Sequence, residues 1–369
     1  MTLPAALRRL AAAGLFCLAP AMVPAQPAPA TVPSTAPAAV PASAPASASA
    51  SASASASAAR PAASVPAPAH AARRADCPPL PKPLDPAGIP QALQKARDRG
   101  LLWRVEKDGR TSWLYGTVHA ARRGWMLPGP TVMAAVRASD RVALEMDLLD
   151  PTVVQKLQAA LRKPADAPPL PPDLERRLAA QRDAACADPS VQQMRPELQV
   201  SSLVVMSARR EGFDPAYGID VVLAGLARGL HKPVVSLESV ELQVQTLASD
   251  DPKETAAAVA SGLDQLENHS ARETLTTLAT AWSDGRANLL ETYGQWCGCQ
   301  RTPEERQAFE QLVVARNPGM ARAIVAEHRA GHSVFAAVGA LHMVGPQGLP
   351  TLLAREGFRV ERVEWPARP

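Results

Sequence analysis

Two short stretches carry residue types that could do chemistry together. Tyr115-Gly116-Thr117-Val118-His119 and Val338-Gly339-Ala340-Leu341-His342 each run apolar and then stop at Gly-x-x-His. A neutral imidazole binds a divalent ion or accepts a proton. The preceding glycine lets the backbone turn sharply or approach a ligand closely. In α/β proteins a polar residue just past the carboxyl end of a buried strand sits where ligands bind. Glu145 is the third candidate. It follows Val142-Ala143-Leu144, and a carboxylate on a buried apolar strand is costly unless it is paired or bound to metal. Two imidazoles and one carboxylate make a donor set for a divalent metal or for acid–base work.

Other residues could support this set. Glu238 ends the apolar run Pro233-Val234-Val235-Ser236-Leu237. Asp147 shares a face with Glu145, or caps the helix that follows. Asp220, after Gly218-Ile219, reads as a brace at a helix N-terminus. Arg316-Asn317 interrupts a helical stretch, and an arginine facing a pocket clamps a carboxylate or a developing oxyanion. His328 and His332 are four apart, like a helical metal pair. No glutamate follows His328, however, and Gly331 marks the helix end. The chain has no Gly-x-Ser-x-Gly elbow, no Walker loop, no Gly-x-Gly-x-x-Gly after a strand and no His-Glu-x-x-His. Serine-hydrolase, NTPase, dinucleotide and helical-zincin readings lose their support.

The elements that must position these residues follow from pattern. Leu101–Val105 and Ser112–Tyr115 flank Asp108-Gly109, the strongest hairpin signal in the chain. Pro130–Ala138 reads as a short helix with proline near its first position, and Arg141–Met146 as a strand. Residues 151–211 read as helical, broken by prolines at 168–172. Gly218-Ile219-Asp220 opens a helix to Gly229, and 233–238 is a short strand. Glu254–Trp282 and Pro303–Arg329 read as long helices. Val334–Val338 is a buried strand, Gly345–Glu356 a helix and Phe358–Val363 the last strand. The first and last segments share the order strand, Gly-x-x-His, helix, strand. This similarity is either a weak duplication or common α/β grammar.

Composition divides the 369 residues. Residues 1–25 read as an export signal: Arg8-Arg9, an apolar run from Leu10 to Val23, and a small-residue cut after about Ala25. Phe16 before Cys17 argues against lipidation. Residues 26–75, with an Ala-Ser alternation, cannot bury enough apolar surface to order themselves and read as a disordered tether. Residues 76–369 read as the folded domain, with a helical insertion at about 151–330. Five of the 39 basic residues precede Asp76 and no acid does, so the folded part holds 34 bases against 35 acids. That balance, with 4% aromatics, argues against a nucleic-acid partner. No later stretch is long and apolar enough to span a bilayer. The expected location is the periplasm or outside the cell. Cys77, Cys186, Cys297 and Cys299 then favour disulfides. The close spacing of Cys297 and Cys299 suggests that each pairs with one of the other two. The alternative, a zinc site, lacks a second close Cys or His pair.

Taken together, Leu114–His119, Leu144-Glu145-Met146-Asp147, Tyr217-Gly218-Ile219-Asp220, Leu237-Glu238 with Gln243 or Gln245 after it, Arg316-Asn317 and Val338–Gly345 resemble the TraB/PrgY/GumN family in order and spacing. Gly348-Leu349, Leu352-Leu353 and Gly357–Val360 fit its C-terminal pattern. The resemblance covers about residues 100–365. That family is similar to the TIKI metalloproteases and, more distantly, to erythromycin-esterase-like and ChaN-like proteins. The resemblance implies an α/β fold with a mixed or mostly parallel central sheet and large helical insertions. It implies a divalent metal, manganese or cobalt with zinc as an alternative, on His119, His342 and Glu145. Arg316 and Asn317 line the site as oxyanion stabilisers, with Gly116, Gly339, Asp220 and Glu238 behind. The expected activity is that of a metal-dependent hydrolase, most simply a peptidase, acting on a peptide or small polymer. The alternatives are a non-catalytic module that sequesters a peptide or glycan, and a metal-free hydrolase with a histidine base.

Overall fold

A computed structural model describes residues 76–365 of the chain. The expected export signal and tether, and with them Cys17, lie outside the described residues. The strands are β1 (Leu101–Lys107), β2 (Arg110–Thr117), β3 (Ala121–Arg122), β4 (Arg141–Leu144), β5 (Phe213–Asp214), β6 (Val234–Ser236), β7 (Val334–Gly339) and β8 (Arg359–Val363). Six of them form one sheet in the order β6-β4-β7-β2-β1-β8, and β3 pairs with β5 in a separate ribbon. In the main sheet β6, β4, β7 and β2 are mutually parallel, and β1 alone runs against the other five. This is the mixed, mostly parallel α/β fold that the sequence predicts.

Local chemistry accounts for several of these elements. β1 and β2 close over Asp108 and Gly109, both at positive φ (51° and 74°), as a two-residue hairpin turn of matching twist requires. β7 is apolar and buried along its whole length, which suits a central strand covered on both faces. Pro130–Ala138 forms the crossover helix from β2 to β4. The region 151–330 is mostly helical but returns once to the sheet edge, as β6. The long stretch 254–282 is two helices, Pro252–Glu267 and Ser270–Ser283, because His269 between them sits at φ 67°. Pro303–Leu312 and Asn317–Arg329 are likewise separate, with a single 3-10 turn at Val314–Arg316.

One sequence expectation is corrected here, and one open alternative is narrowed. The first concerns the cysteines: the disulfides are Cys77–Cys186 and Cys297–Cys299. Gly298 at φ 68° folds the chain back and brings the Cα atoms of its two neighbours to 5.2 Å, within disulfide reach. The second concerns the apparent duplication, which does not extend to topology. β4 pairs in parallel with β7, whereas β8 pairs antiparallel with β1 on the far edge. Glu364, which follows His342 by 22 residues much as Glu145 follows His119 by 26, is exposed.

Candidate active site

The site forms where four neighbouring parallel strands end. His119 lies two residues past β2, Glu145 one past β4, Glu238 two past β6 and His342 three past β7. Carboxyl ends of adjacent parallel strands share one edge of a sheet, so local strand grammar converts directly into a cluster. β2 and β7 pair directly, with Thr117 opposite Gly339, so the two Gly-x-x-His turns leave the sheet side by side.

Gly339 marks the centre. A Cβ placed there would stand 3.3 Å from Glu145 Oε1, 3.5 Å from His342 Cδ2 and 3.7 Å from His119 Nε2. All three predicted ligands therefore surround one point that only a glycine leaves open. Gly116 has a different job. A Cβ there would meet Ala340 Cα at 3.1 Å, so its absence lets the two turns pack backbone to side chain.

Each imidazole is held from behind. Asp220 Oδ2 lies 2.7 Å from His119 Nδ1, and its other oxygen accepts from the Thr117 hydroxyl. Asn317 Oδ1 lies 2.6 Å from His342 Nδ1. The Asn317 amide is oriented by its own bond, Nδ2 donating to Gln347 O at 2.8 Å. The amide oxygen must then face His342, so Nδ1 carries the hydrogen. Nε2 is left with a bare lone pair, and it has no hydrogen-bond partner although His342 is 0% exposed. It sits 3.9 Å from Glu145 Oε1. The carboxylate–histidine and amide–histidine contacts are the kind that orient metal-ligating imidazoles.

Glu145 is fixed on both oxygens. Oε1 accepts from Gly339 N at 2.8 Å, and Oε2 accepts from Arg316 Nη2 at 2.6 Å and Gln243 Nε2 at 3.3 Å. Arg316 also grips Glu238 through Nε at 2.8 Å and through Nη2, while Nη1 donates to Leu312 O at 3.0 Å. Gln243 Nε2 donates to Glu238 Oε2 at 2.9 Å. This places Arg316 and Asn317 elsewhere than at an oxyanion. Arg316 is 4% and Asn317 1% exposed, and the contacts just described point them at protein groups. Asp147 is also outside the site, bound by Arg228 at 2.9 and 2.7 Å. His332 faces Arg141, and His328 Nε2 lies 3.4 Å from Asp108. Thr117 and Gln243 are site residues that motif reasoning on His, Glu and Arg passes over. Gln243 surfaces only through the family resemblance. A narrow cleft of about 30 Å³ reaches His119 and Gly339, walled by Val205, Leu275, Leu278 and Leu341.

The electrostatics separate the two histidines. Burial pushes the His119 imidazole down, but the charge and hydrogen bond of Asp220, with the charge of Glu145, outweigh it and hold it up at about 9. Burial pushes His342 down to about 3, offset only in part by Glu145. Burial raises the Glu145 carboxyl, yet Arg316, His342 and His119 together hold it well below the usual carboxylate range. Unfolded, both imidazoles titrate near 6.5. His119 therefore contributes stability that is fully present below pH 6.5 and lost as pH rises through about 9. His342 has the opposite sign: its contribution is present above pH 6.5 and lost as pH falls toward about 3. The urea midpoint of chelator-treated protein is expected to peak near pH 6.5. His119→Gln should flatten the alkaline limb, and an unchanged alkaline limb in that variant would contradict this assignment.

Among the described residues, no three His, Cys, Asp or Glu side chains are drawn together at metal-ligating spacing. The donor types do fit a divalent ion, and so does the unpartnered, buried Nε2 of His342. The profile of the TraB/PrgY/gumN family matches residues 101–362. The chain belongs to the TraB/PrgY/gumN family. The match reaches into every strand of the main sheet and takes in every site residue named above. The chain is also 23% identical over 330 residues to a protein named metalloprotease TIKI1 from Danio rerio. That alignment covers 76% of this chain and spans 66% of the relative's length, slightly less than two thirds. No solved structure matches the chain. Among the described residues no helix is long and apolar enough to cross a membrane.

Proposed function

We propose that this TraB/PrgY/gumN chain is an exported, metal-dependent hydrolase that cuts peptide bonds. The observation that carries the reading is the Nε2 atom of His342: fully buried, stripped of its hydrogen by the Asn317 contact, and without a partner beside Glu145. An unpartnered buried acceptor costs free energy, and a ligand that accepts its lone pair would remove that cost. His119, His342 and Glu145 would hold a manganese, cobalt or zinc ion. When bound, such an ion polarises a scissile carbonyl and makes water nucleophilic near neutral pH.

The protein's own residues do the rest. Asp220 and Asn317 hold the two rings through Nδ1, which leaves His119 Nε2 and the Cδ2 edge of His342 lining the Gly339 gap. Arg316 keeps Glu145 ionised, which suits a ligand better than a general base, since a strongly depressed carboxyl is a weak proton acceptor. Gly339 leaves room for the substrate's reacting group. Support for a peptide substrate comes from the name of the Danio rerio relative. Support for export comes from the N-terminal signal pattern and from the Cys77–Cys186 disulfide, at home in an oxidising compartment.

The test is to strip the purified protein with a chelator and titrate it with manganese, cobalt and zinc by calorimetry, then assay a peptide library. One ion per chain is expected, with cleavage lost on chelation. Asn317→Ala should weaken ion affinity by about 10- to 100-fold, as loss of a partner behind a ligating histidine does. Absence of stoichiometric binding by any of the three metals would sink the metal reading. One observation favours a second reading: the 2.7 Å His119–Asp220 contact also suits a metal-free histidine base, one that becomes available as pH rises toward about 9. Cleavage that survives chelation would establish that reading instead.

A further inference from the structure

The Cys297–Cys299 disulfide stands apart from the other one. Cys77–Cys186 joins residues 109 apart, whereas Cys297–Cys299 joins residues 2 apart. A cross-link constrains the unfolded chain by an amount that grows with the logarithm of the loop it closes, so the short ring contributes least to stability by that route. What surrounds it is suited to chemistry instead. Cys297 forms part of the wall of a groove of about 660 Å³, with Asn268, Glu273, Thr277, Trp296 and Arg301. Cys299 N donates to Cys297 Sγ at 3.0 Å. The Tyr293 hydroxyl lies 3.5 Å from Cys299 Sγ. A disulfide sulfur carries no hydrogen, so the hydroxyl is the donor, and burial raises its pKa and keeps it protonated. The Arg301 guanidinium lies over Gly298, with Nη2 3.0 Å from where a Cβ would stand. Thr274 Oγ1 donates to Cys297 O at 3.2 Å and ties the segment to helix Ser270–Ser283.

Each sulfur therefore has a donor within hydrogen-bonding reach. Such donors favour thiolate over thiol and make a cysteine a better leaving group. We propose that Cys297-Gly298-Cys299 is a thiol–disulfide exchange site that takes two electrons from a dithiol entering the groove. A thiolate of the dithiol attacks Cys297 Sγ, the sulfur of the residue that lines the groove. The Cys297–Cys299 bond breaks, and its electron pair leaves on Cys299 Sγ, which receives the Tyr293 hydrogen bond and then a proton. The second thiol of the dithiol attacks the sulfur of the mixed disulfide that belongs to the dithiol, closing its own disulfide. Cys297 is released as a thiolate and takes the second proton. The products are the oxidised dithiol and a Cys297/Cys299 dithiol. Gly298 lets the ring open and reclose without moving a side chain.

The test uses the intact, folded chain and dithiothreitol as the dithiol. Protein is equilibrated over a series of reduced-to-oxidised dithiothreitol ratios, quenched by alkylation and mapped by mass spectrometry. Cys297 and Cys299 are expected to reach half-reduction at a ratio at least about tenfold lower than Cys77 and Cys186. Co-reduction of the two pairs, or reduction of Cys297 and Cys299 only after unfolding, would overturn the proposal. In Cys299→Ser, oxidised glutathione should form an adduct on Cys297 at least about tenfold faster than on Cys299 in Cys297→Ser. Equal rates would show that the groove does not select Cys297 and would also overturn it. The wild-type titration stands by itself if either variant fails to fold.

Discussion

Arg316→Met is expected to lower the unfolding free energy by about 3–5 kcal/mol, the usual cost of removing one member of a buried charge set. The guanidinium is the cation between Glu145 and Glu238, which are 8% and 8% exposed. Without it the two carboxylates share one neutral donor, Gln243, and face each other in a medium that screens poorly. Methionine replaces the volume but not the charge. The melting temperature should fall by roughly 10 °C. The sign is checked by pH: the deficit should shrink in acid, where one carboxylate takes up a proton and the repulsion ends. It is checked again by Arg316→Met/Glu238→Gln, which should recover part of the loss because one buried charge is removed along with its partner. A single variant as stable as the parent would mean that Arg316 does not hold this cluster together.

Glu145→Gln should cost at least about 10- to 100-fold in kcat/KM on any peptide the protein cleaves, the loss that follows even from removing a group behind a metal ligand. The substitution keeps shape and removes charge. It also has a structural cost. Gly339 N and Arg316 Nη2 donate to opposite oxygens of the carboxylate, so the new amide NH₂ must face a donor at one end or the other. That mismatch should cost about 1–3 kcal/mol, small enough to leave a folded protein for assay. Peptide binding should persist while turnover drops. Parent and variant that bind peptide equally, with no turnover in either, would establish the sequestering module instead. Undiminished turnover in the variant would remove Glu145 from the reaction.

The residues that can do chemistry were legible because they obey local rules. A buried strand announces itself by a continuous apolar run, and a glycine followed by a histidine marks where it stops. His119, Glu145, Glu238 and His342 could each be placed at a strand end from a window of a few residues. The hairpin at Asp108-Gly109 and the helix at Pro130–Ala138 follow from turn and cap chemistry of the same range. Asp220, Arg316 and Asn317 were also open to local reading, and the family resemblance added Gln243.

Which groups each participant touches was decided by the tertiary structure. Arg316 is 78 residues from Glu238 and 171 from Glu145, and no periodicity links positions that far apart. In the sequence it reads equally as an oxyanion clamp. The fold spends its donors on two carboxylates, because β4 and β6 are neighbours and deliver both acids to one spot. Asn317 passes from oxyanion donor to the partner that sets the His342 tautomer for the same reason. The cysteine pairing was misjudged from spacing alone, since a positive φ at Gly298 cannot be read from the letters Cys-Gly-Cys. The sequence by itself determined which backbone segments end in reactive side chains, because hydrophobic periodicity and turn chemistry act within a few residues. Strand order, and with it which charges meet, was decided only by the folded sheet, because pairing between distant strands depends on the whole core closing at once.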